Sequence, residues 1–219
     1  NVYAAVTQLF STAADCLTTR YLNDFTEPFN RFLYGNAASP LTFKFKYRKN
    51  RSGEGYVIYD FPVSEPPRVA MAQGVAVRTG LRRPPGTEED DVMPISGLLA
   101  DGYDLAYVPK ALVEHHTVTS LSDFLSKFGP RISKRFVEHD QPIWQRSRKW
   151  SFARRVRAYL WPIYSVSIVF PTIVAIYGAI RDARVTWLYH PVISFALGVE
   201  FWRRFFKWRF DTTWKSRIN

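Results

Sequence analysis

The chain has 219 residues, of which 47% are hydrophobic, 16% aromatic and 22% charged. This composition excludes a disordered, collagen-like or disulfide-stabilised protein, and the length allows one domain with a sizeable core and an appendage. The formal net charge of +11 suggests nucleic-acid binding at first sight. However, residues 1–140 contain 16 basic and 16 acidic residues, whereas residues 141–219 contain 14 basic and 3 acidic ones. The excess charge therefore belongs to the last third, beside its apolar segments, and we expect no nucleic-acid partner.

The first elements in chain order are two helices and a hairpin. Apolar residues from Val2 to Leu17 recur at i, i+3, i+4 and i+7, which predicts an amphipathic helix. A second helix is predicted over Glu27 to Tyr34, ending at Gly35. Leu41–Tyr47 and Tyr56–Phe61 alternate between apolar and polar residues, which predicts a β-hairpin around residues 51–55.

The next predicted elements are a strand at Arg68–Val77 and a helix at Val92–Ala100. Two short strands at Leu105–Val108 and Ala111–Glu114 and a further amphipathic helix at Ser120–Phe128 follow. Gly74 is expected at a close approach or a bulge, and Asp101-Gly102 is expected to stop the second of these elements. Gly129-Pro130 is expected to break the last helix.

The last third predicts a membrane-embedded helical hairpin. Ala158–Ile180 is 23 residues long with no ionisable group except three tyrosines, enough for a transmembrane helix at about 158–180. A second apolar segment at about 185–202 carries His190 and Glu200, and it either spans the membrane or lies half within it. Basic clusters flank the pair, so both flanks are expected on the cytoplasmic side. A buried hairpin of a soluble protein, kinked by prolines, is the alternative.

Four consecutive acids precede the predicted helix at Val92, namely Glu88, Glu89, Asp90 and Asp91. Negative charge at a helix N-terminus satisfies free backbone N–H groups and complements the helix dipole, which is a purely structural explanation. Clustered carboxylates are also what proton abstraction or divalent-cation binding needs. Both explanations are open at the level of the residues alone.

The order of motifs from Val69 to Arg135 resembles the C-terminal half of a family 2 glycosyltransferase catalytic domain of the GT-A fold. In that family an acidic pair begins a helix that ends in Gly-Tyr, and a short strand of the pattern tyrosine, any residue, proline follows. The matching residues here are Asp90-Asp91, Gly102-Tyr103 and Tyr107-Val108-Pro109. The resemblance implies an α/β fold: the C-terminal portion of a GT-A-like mixed sheet over residues 1–140, followed by the membrane hairpin in 141–219.

The resemblance also implies a reaction, the inverting transfer of a sugar from a nucleotide-diphospho-sugar to an acceptor hydroxyl or lipid phosphate at the membrane surface. Asp91 is the expected general base, with Asp90 the second choice, and Glu89 is expected to contact substrate. A divalent cation, Mg²⁺ or Mn²⁺, is expected to be held mainly by a nucleotide-binding half upstream of Asn1, without which the chain is expected to be inactive. A lipid-linked or membrane-embedded acceptor is the expected partner, with the catalytic side cytoplasmic.

Several basic residues and two histidines are further candidates. Arg78, Arg82 and Arg83 either face the donor phosphates or only solvate their loop. Arg131, Lys134 and Arg135 either draw in a lipid phosphate at the acceptor entrance or belong to an ordinary basic helix. His115 and His116 either help to hold the cation or have no such role, and His139 and His190 are interpreted as structural. The alternative function for the whole chain is a non-catalytic membrane-anchored adaptor that binds anionic lipid.

Overall fold

The computed structural model describes residues 2–63, 67, 70, 74–78, 93–137 and 151–218. The fold is mixed α/β with a five-stranded sheet, which confirms the predicted class. The chain forms two compact units, one made of residues 1–15 and 22–117 and the other of residues 16–21 and 118–219.

The first unit contains the sheet, whose strands are β1 (Val2–Phe10), β2 (Lys49–Gly53), β3 (Tyr56–Tyr59), β4 (Val75–Val77) and β5 (Asp104–Glu114). Their order across the sheet is β2-β3-β5-β1-β4. The central strands β1 and β5 are parallel, and β4 and β3 pair antiparallel on their outer sides. Helices α2 (Pro28–Tyr34) and α3 (Met93–Ala100) complete this unit, with 3₁₀ helices at Gly35–Ala37 and Pro40–Phe45.

Helix α1 (Leu17–Phe25) contributes residues to both units. The other described elements of the second unit are helices, namely α4 (Leu121–Val137), α5 (Phe152–Val166), α6 (Val169–Asp182), a 3₁₀ helix (Val185–Tyr189) and α7 (His190–Ile218). The predicted helix ending at Gly35 is confirmed as α2, which Glu27 caps by accepting a 2.7 Å hydrogen bond from the Phe29 N–H.

The predicted helix from Val2 to Leu17 is wrong, because residues Val2–Phe10 form the central strand β1. Ala4, Val6 and Leu9 are its buried apolar side chains. The step from Val6 to Leu9 is three residues because the pairing with β5 shifts between Thr7 and Gln8. This irregularity turns a strand alternation into a spacing that resembles a helical one.

The predicted strand Leu41–Tyr47 is also wrong, and the hairpin is formed by β2 and β3 instead. Residues Pro40–Phe45 are a 3₁₀ helix, in which residues three apart share a face. Pro40 and Phe43 are accordingly both buried, while Phe45 is exposed. Proline at the first position favours this helix, because its ring fixes φ at a helical value.

The predicted strands Leu105–Val108 and Ala111–Glu114 are two parts of the single strand β5. The pairing with β1 passes from Val108 directly to Leu112, so the residues around Pro109 are extra. Proline has no N–H to donate to a ladder, which accounts for an irregularity there. The short strand β4 confirms the end of the predicted strand at Arg68–Val77. Gly74 lies at a close approach, since an added Cβ would be 2.7 Å from Thr7 Oγ1.

Helix α3 confirms the predicted helix and its stop. The N–H groups of Gly102 and Tyr103 donate to the carbonyls of Leu99 and Leu98, at 3.2 and 2.9 Å. Gly102 has φ +81°, and Tyr103 packs against the cluster that contains Leu98. This is a Schellman C-cap, in which a left-handed glycine is followed by an apolar side chain that folds back on the helix. The Gly-Tyr pair thus has a structural role at this position.

The predicted break at Gly129-Pro130 is wrong, because α4 continues through both residues to Val137. Within the second unit, a Cβ added at Gly129 would be 2.8 Å from Glu200 Cγ on α7. Glycine therefore permits a close approach of these two helices, and packing offsets the hydrogen bond that proline cannot donate.

The apolar run Ala158–Ile180 does not form one helix, so the prediction of a single transmembrane helix there is wrong. It is divided between α5 and α6, which meet at 98°. Ile168, at the break, has φ +56°, a conformation that an α-helix cannot contain. Among the described residues no single helix is long and apolar enough to cross a membrane, although α5 and α6 together meet that test.

His190 is buried at the start of α7 and links three parts of the second unit. Its Nδ1 lies 2.5 Å from the Tyr21 hydroxyl, and its Nε2 lies 2.9 Å from the Tyr164 hydroxyl. Both ring nitrogens have hydroxyl partners, as a buried polar group requires. These contacts support the structural interpretation of His190, whereas His139 lies outside the described residues.

Two glycines of the α3 region should respond oppositely to alanine substitution. Gly97→Ala places a Cβ where no atom lies within 4 Å, and it should stabilise the chain by about 0.5–1 kcal/mol through helix propensity. Gly102→Ala should destabilise it by about 1–2 kcal/mol, because φ +81° is strained for alanine. Urea denaturation of both variants measures the difference, and a shift of the same sign in both would contradict the C-cap.

Candidate site at the carboxyl edge of the central strands

The two central strands end at the same edge of the sheet, where Phe10 pairs with Glu114. The residues that follow, Ser11 to Asp15 and His115 to Thr117, are therefore brought together although a hundred residues separate them. Ligands of α/β proteins bind most often beyond the carboxyl ends of parallel strands. Because polar side chains meet here within the first unit, this edge is the candidate functional site.

Asn23 of α1 joins the two segments. Its Nδ2 donates to the carbonyls of Phe10 (3.2 Å) and His115 (2.7 Å) and to Ser11 Oγ (2.7 Å). Two carbonyl acceptors require an NH₂ group at this position, so the orientation of the amide is determined. Its Oδ1 consequently faces His115 Nδ1 at 3.0 Å.

The contact with Asn23 selects the tautomer of His115. The Asn23 Oδ1 atom can only accept, so neutral His115 carries its proton on Nδ1, and the lone pair is on Nε2. Burial lowers the pKa of His115, and the neighbouring His116 charge lowers it further. His115 is therefore a neutral base at neutral pH, with its Nε2 able to accept a proton or bind a cation.

His116 has the opposite electrostatic environment. Its Nδ1 lies 2.7 Å from Asp15 Oδ1, and its Nε2 lies 3.2 Å from Glu114 Oε1. The hydrogen bond to Asp15 is the main cause that raises the pKa of His116, and it also lowers the pKa of Asp15. Asp15 additionally accepts from the N–H and hydroxyl of Thr12 at 2.7 and 3.1 Å. Two adjacent histidines thus differ in charge over a range of pH.

These shifts determine how the site contributes to stability. The raised pKa of His116 contributes stability that is complete below its unfolded-state value and is lost as the pH rises through the folded-state value. The lowered pKa of Asp15 contributes above its unfolded-state value and is lost as the pH falls. The pKa of His115 is lowered in the folded state, so its contribution to stability is also lost as the pH falls below the unfolded-state value. The Asp15–His116 pair is therefore strongest in mildly acidic to neutral solution.

The other predicted site residues are distributed differently. Glu89, Asp90, Asp91, Arg82 and Arg83 lie outside the described residues. Arg78 is exposed directly after β4 in the first unit. Arg131 is exposed on α4 in the second unit, with its guanidinium carbon 5.3 Å from the Phe128 ring centroid. Lys134 and Arg135 are in α4, and their side chains lie outside the described part.

The described residues contain no group of three or more His, Cys, Asp and Glu side chains arranged to hold a metal ion. His116 has a carboxylate beside each ring nitrogen, which leaves His115 Nε2 as the nitrogen with suitable chemistry. One nitrogen does not make a metal site. The expectation of a cation at His115 or His116 stays a prediction.

Sequence reasoning missed Asp15 and Asn23, two principal polar residues of this edge. The predicted helix over Val2–Leu17 concealed the end of β1 and therefore the meaning of the residues after it. The available signal was the group of short polar residues Ser11, Thr12 and Asp15 immediately after an apolar run, which is typical of a buried strand that ends in a loop. His115 and His116 were found because they follow a recognisable strand.

Comparison of the chain with protein-family models, with curated proteins and with solved structures finds no match.

The two histidines should titrate apart. In NMR spectra recorded in the presence of a chelator, His116 should titrate above and His115 below the ordinary value of about 6.5. Asp15→Asn should move the midpoint of His116 down towards that value, since Asp15 is the main cause of its shift. Glu114→Gln is the matched control and should have a smaller effect. Coincident midpoints in the unmodified chain would contradict the described geometry.

Proposed function

We propose that the chain forms part of a membrane-attached, inverting glycosyltransferase that uses a nucleotide-diphospho-sugar. The observation that carries the proposal is the continuous series α3, Gly102-Tyr103, β5 and His115. Two parts of the motif of the resemblance, Gly102-Tyr103 and Tyr107-Val108-Pro109, lie at the cap of a helix and on a central parallel strand that ends at a polar edge, whereas the acidic pair lies outside the described residues. Motif residues that lie on a capped helix and a central strand favour a catalytic domain. An acidic cap on a surface helix alone would favour the purely structural explanation.

The reaction requires one proton acceptor and positive charge. The acceptor oxygen forms a bond to the anomeric carbon while the bond to the diphosphate oxygen breaks, with inversion at that carbon. Asp91 takes the acceptor proton as general base. The diphosphate leaves with the electron pair and is stabilised by cationic groups, for which protonated His116 is the candidate at the carboxyl edge. Arg78 follows Val77, which pairs with Ala4, and it therefore lies toward the opposite end of the sheet.

The described residues do not form a site for the divalent cation. His115 Nε2 is the nitrogen at this edge that suits a cation, and a complete site would need further ligands from elsewhere in the full protein. No step described above passes through the cation. Asp91 can act as the general base whether or not a cation is bound.

Membrane attachment is the second part of the proposal. Many apolar side chains of α5 and α6 are exposed, among them Ile163, Phe170, Ile173 and Ile180, at 59–79% of their surface. A soluble surface seldom exposes so many large apolar side chains close together. Arg155, Arg157 and Arg184 are exposed in or beside these helices and suit anionic headgroups. We propose that this surface inserts into lipid.

The alternative function, a non-catalytic lipid-binding adaptor, is favoured by the same apolar surface. It differs in giving no role to the acidic cluster or to the polar edge. In the glycosyltransferase proposal, Arg131, Lys134 and Arg135 bind the phosphate of a lipid acceptor; in the adaptor proposal, they bind bulk anionic lipid.

Replacing Asp91 by Asn in the full protein should lower turnover by roughly 10²–10⁴-fold while leaving donor binding nearly unchanged. The substitution keeps the shape of the side chain and removes its basicity. Glu88→Gln, a neutral substitution in the same acidic run, is the matched control and should keep the rate. Sugar release from a radiolabelled nucleotide-sugar measures turnover. An Asp91→Asn protein with full activity would transfer the role to Asp90 or remove the reaction, and an adaptor predicts no turnover in any variant.

Insertion of α6 into lipid predicts that Ile173→Asp weakens vesicle binding. Aspartate in a bilayer interior costs about 2.5 kcal/mol or more, which corresponds to a decrease on the order of 50-fold in partitioning. Val63→Asp is the control, because Val63 is similarly exposed, at 56% against 59%, but belongs to the first unit. Flotation at limiting lipid measures the effect. Equal flotation of both variants would remove α6 from the membrane.

A further inference from the structure

A cavity lies in the first unit, at the opposite end of β5 from His115. It has a volume of about 550 Å³, within the usual size of small-ligand sites. Its walls come from the start of β5, the C-cap of α3, the end of β3 and the segment before β2. Its charged side chains are Lys46, Arg48, Asp60 and Asp104, and its aromatic ones are Tyr47, Tyr59, Phe61 and Tyr103.

The four aromatic side chains of the lining form an aromatic wall, and the fully buried Phe43 packs against three of them. The rings of Tyr47, Tyr59 and Phe61 lie edge-to-face to it, with centroids 5.6, 6.1 and 5.4 Å away. Phe61 also contacts Tyr47 at 4.8 Å. Such contacts hold rings in defined orientations. The wall is consequently organised before a ligand arrives, which lowers the entropic cost of binding.

The charged groups of the cavity are mostly paired. Arg48 Nε donates to Asp60 Oδ2 at 2.8 Å, and Arg51, outside the lining, donates to Asp104 Oδ2 at 2.7 Å. These pairs are neutral as units but keep oxygens and N–H groups that a ligand can reach, since the Arg48 side chain is 86% exposed and that of Asp60 34%. Burial raises the pKa of Tyr59, so its hydroxyl remains a donor well above neutral pH.

The combination of ring faces and paired planar charged groups selects among ligand classes. A polyanion would need an excess of cations, whereas the lining has two cations, Lys46 and Arg48, against two carboxylates, Asp60 and Asp104. A purely apolar ligand would cover the remaining N–H and oxygen groups of these ion pairs without offering them hydrogen bonds. A neutral, hydroxyl-rich ring offers C–H groups to aromatic faces and hydroxyls to carboxylate and guanidinium. That description fits a saccharide.

We propose that the cavity at the amino end of β5 is a binding site for a neutral saccharide of about two sugar units. The aromatic wall of Tyr59, Phe61 and Tyr103 contacts the sugar faces, and Arg48 and Asp60 hydrogen-bond to its hydroxyls. This inference stands apart from the proposed glycosyl transfer, because it concerns binding at the opposite end of β5 and requires no turnover.

Isothermal titration of the full chain in detergent with maltose, cellobiose, mannobiose and diacetylchitobiose tests the proposal. At least one of them should bind with a dissociation constant below about 20 mM, the weak range expected for a small exposed site. Asp60→Ala and Tyr59→Leu should each weaken that binding by roughly tenfold, about 1.4 kcal/mol. Glu54→Ala and Tyr56→Leu, outside the cavity on the same hairpin, are the matched controls and should bind like the original chain.

Circular dichroism identifies any variant that fails to fold. Asp60→Ala keeps the test decisive in that case, because the side chain is on the surface and its backbone pairing does not need the carboxylate. Absence of binding for all four disaccharides overturns the proposal, as does binding that Asp60→Ala leaves unchanged. Displacement of the saccharide by inorganic pyrophosphate at lower concentration would show an anion site instead. Loss of catalysis in Asp91→Asn has no bearing on any of these outcomes.

Discussion

The parallel pairing of β1 with β5 is the constraint on which the first unit depends. It brings the beginning of the described chain beside residues more than a hundred positions later, and the register from Val2 with Asp104 to Phe10 with Glu114 defines two ends of the sheet. One end collects Asp15, Asn23 and the histidines. The other lies beside the C-cap of α3 and the aromatic cluster. A single pairing therefore produces two chemically different surfaces.

The chemistry at the carboxyl edge comes from the partners of two adjacent side chains. His115 is desolvated by its surroundings and contacts an amide oxygen, although part of its surface is exposed, whereas His116 is exposed and contacts carboxylates. The same side chain therefore becomes a neutral base in one position and a cation in the next. An enzyme that moves a proton and stabilises a departing anion needs both kinds of group. This difference is the reason for regarding the edge as more than a loop junction.

In the second unit the important constraint is the break at Ile168. The uncharged run is long enough for one span, but the backbone there adopts a left-handed conformation and the two helices separate at 98°. Many apolar side chains of both helices are exposed, and polar contacts around the buried His190 connect α1, α5 and α7. A surface of this kind marks a contact with lipid or with another protein, and the proposed membrane insertion takes the first of these.

The sequence by itself determined the elements whose signals are local. The capped helix α2, the helix α3 with its Gly102 stop and the strand parts of β5 follow from capping residues, glycine and short-range alternation, which depend on neighbours in the chain. The candidate histidines were found for the same reason. The charge distribution and the apolar run also belong to the sequence alone.

Only the tertiary structure decided β1, the position of the hairpin, the continuity of α4 through Pro130 and the break at Ile168. Each depends on contacts with distant residues: β1 on its partner β5, and Gly129 on the approach of α7. The roles of Asp15 and Asn23 were equally hidden, because they exist only where two strand ends meet. Local propensity is worth a few tenths of a kcal/mol per residue, and the burial of a strand or a helix face outweighs it.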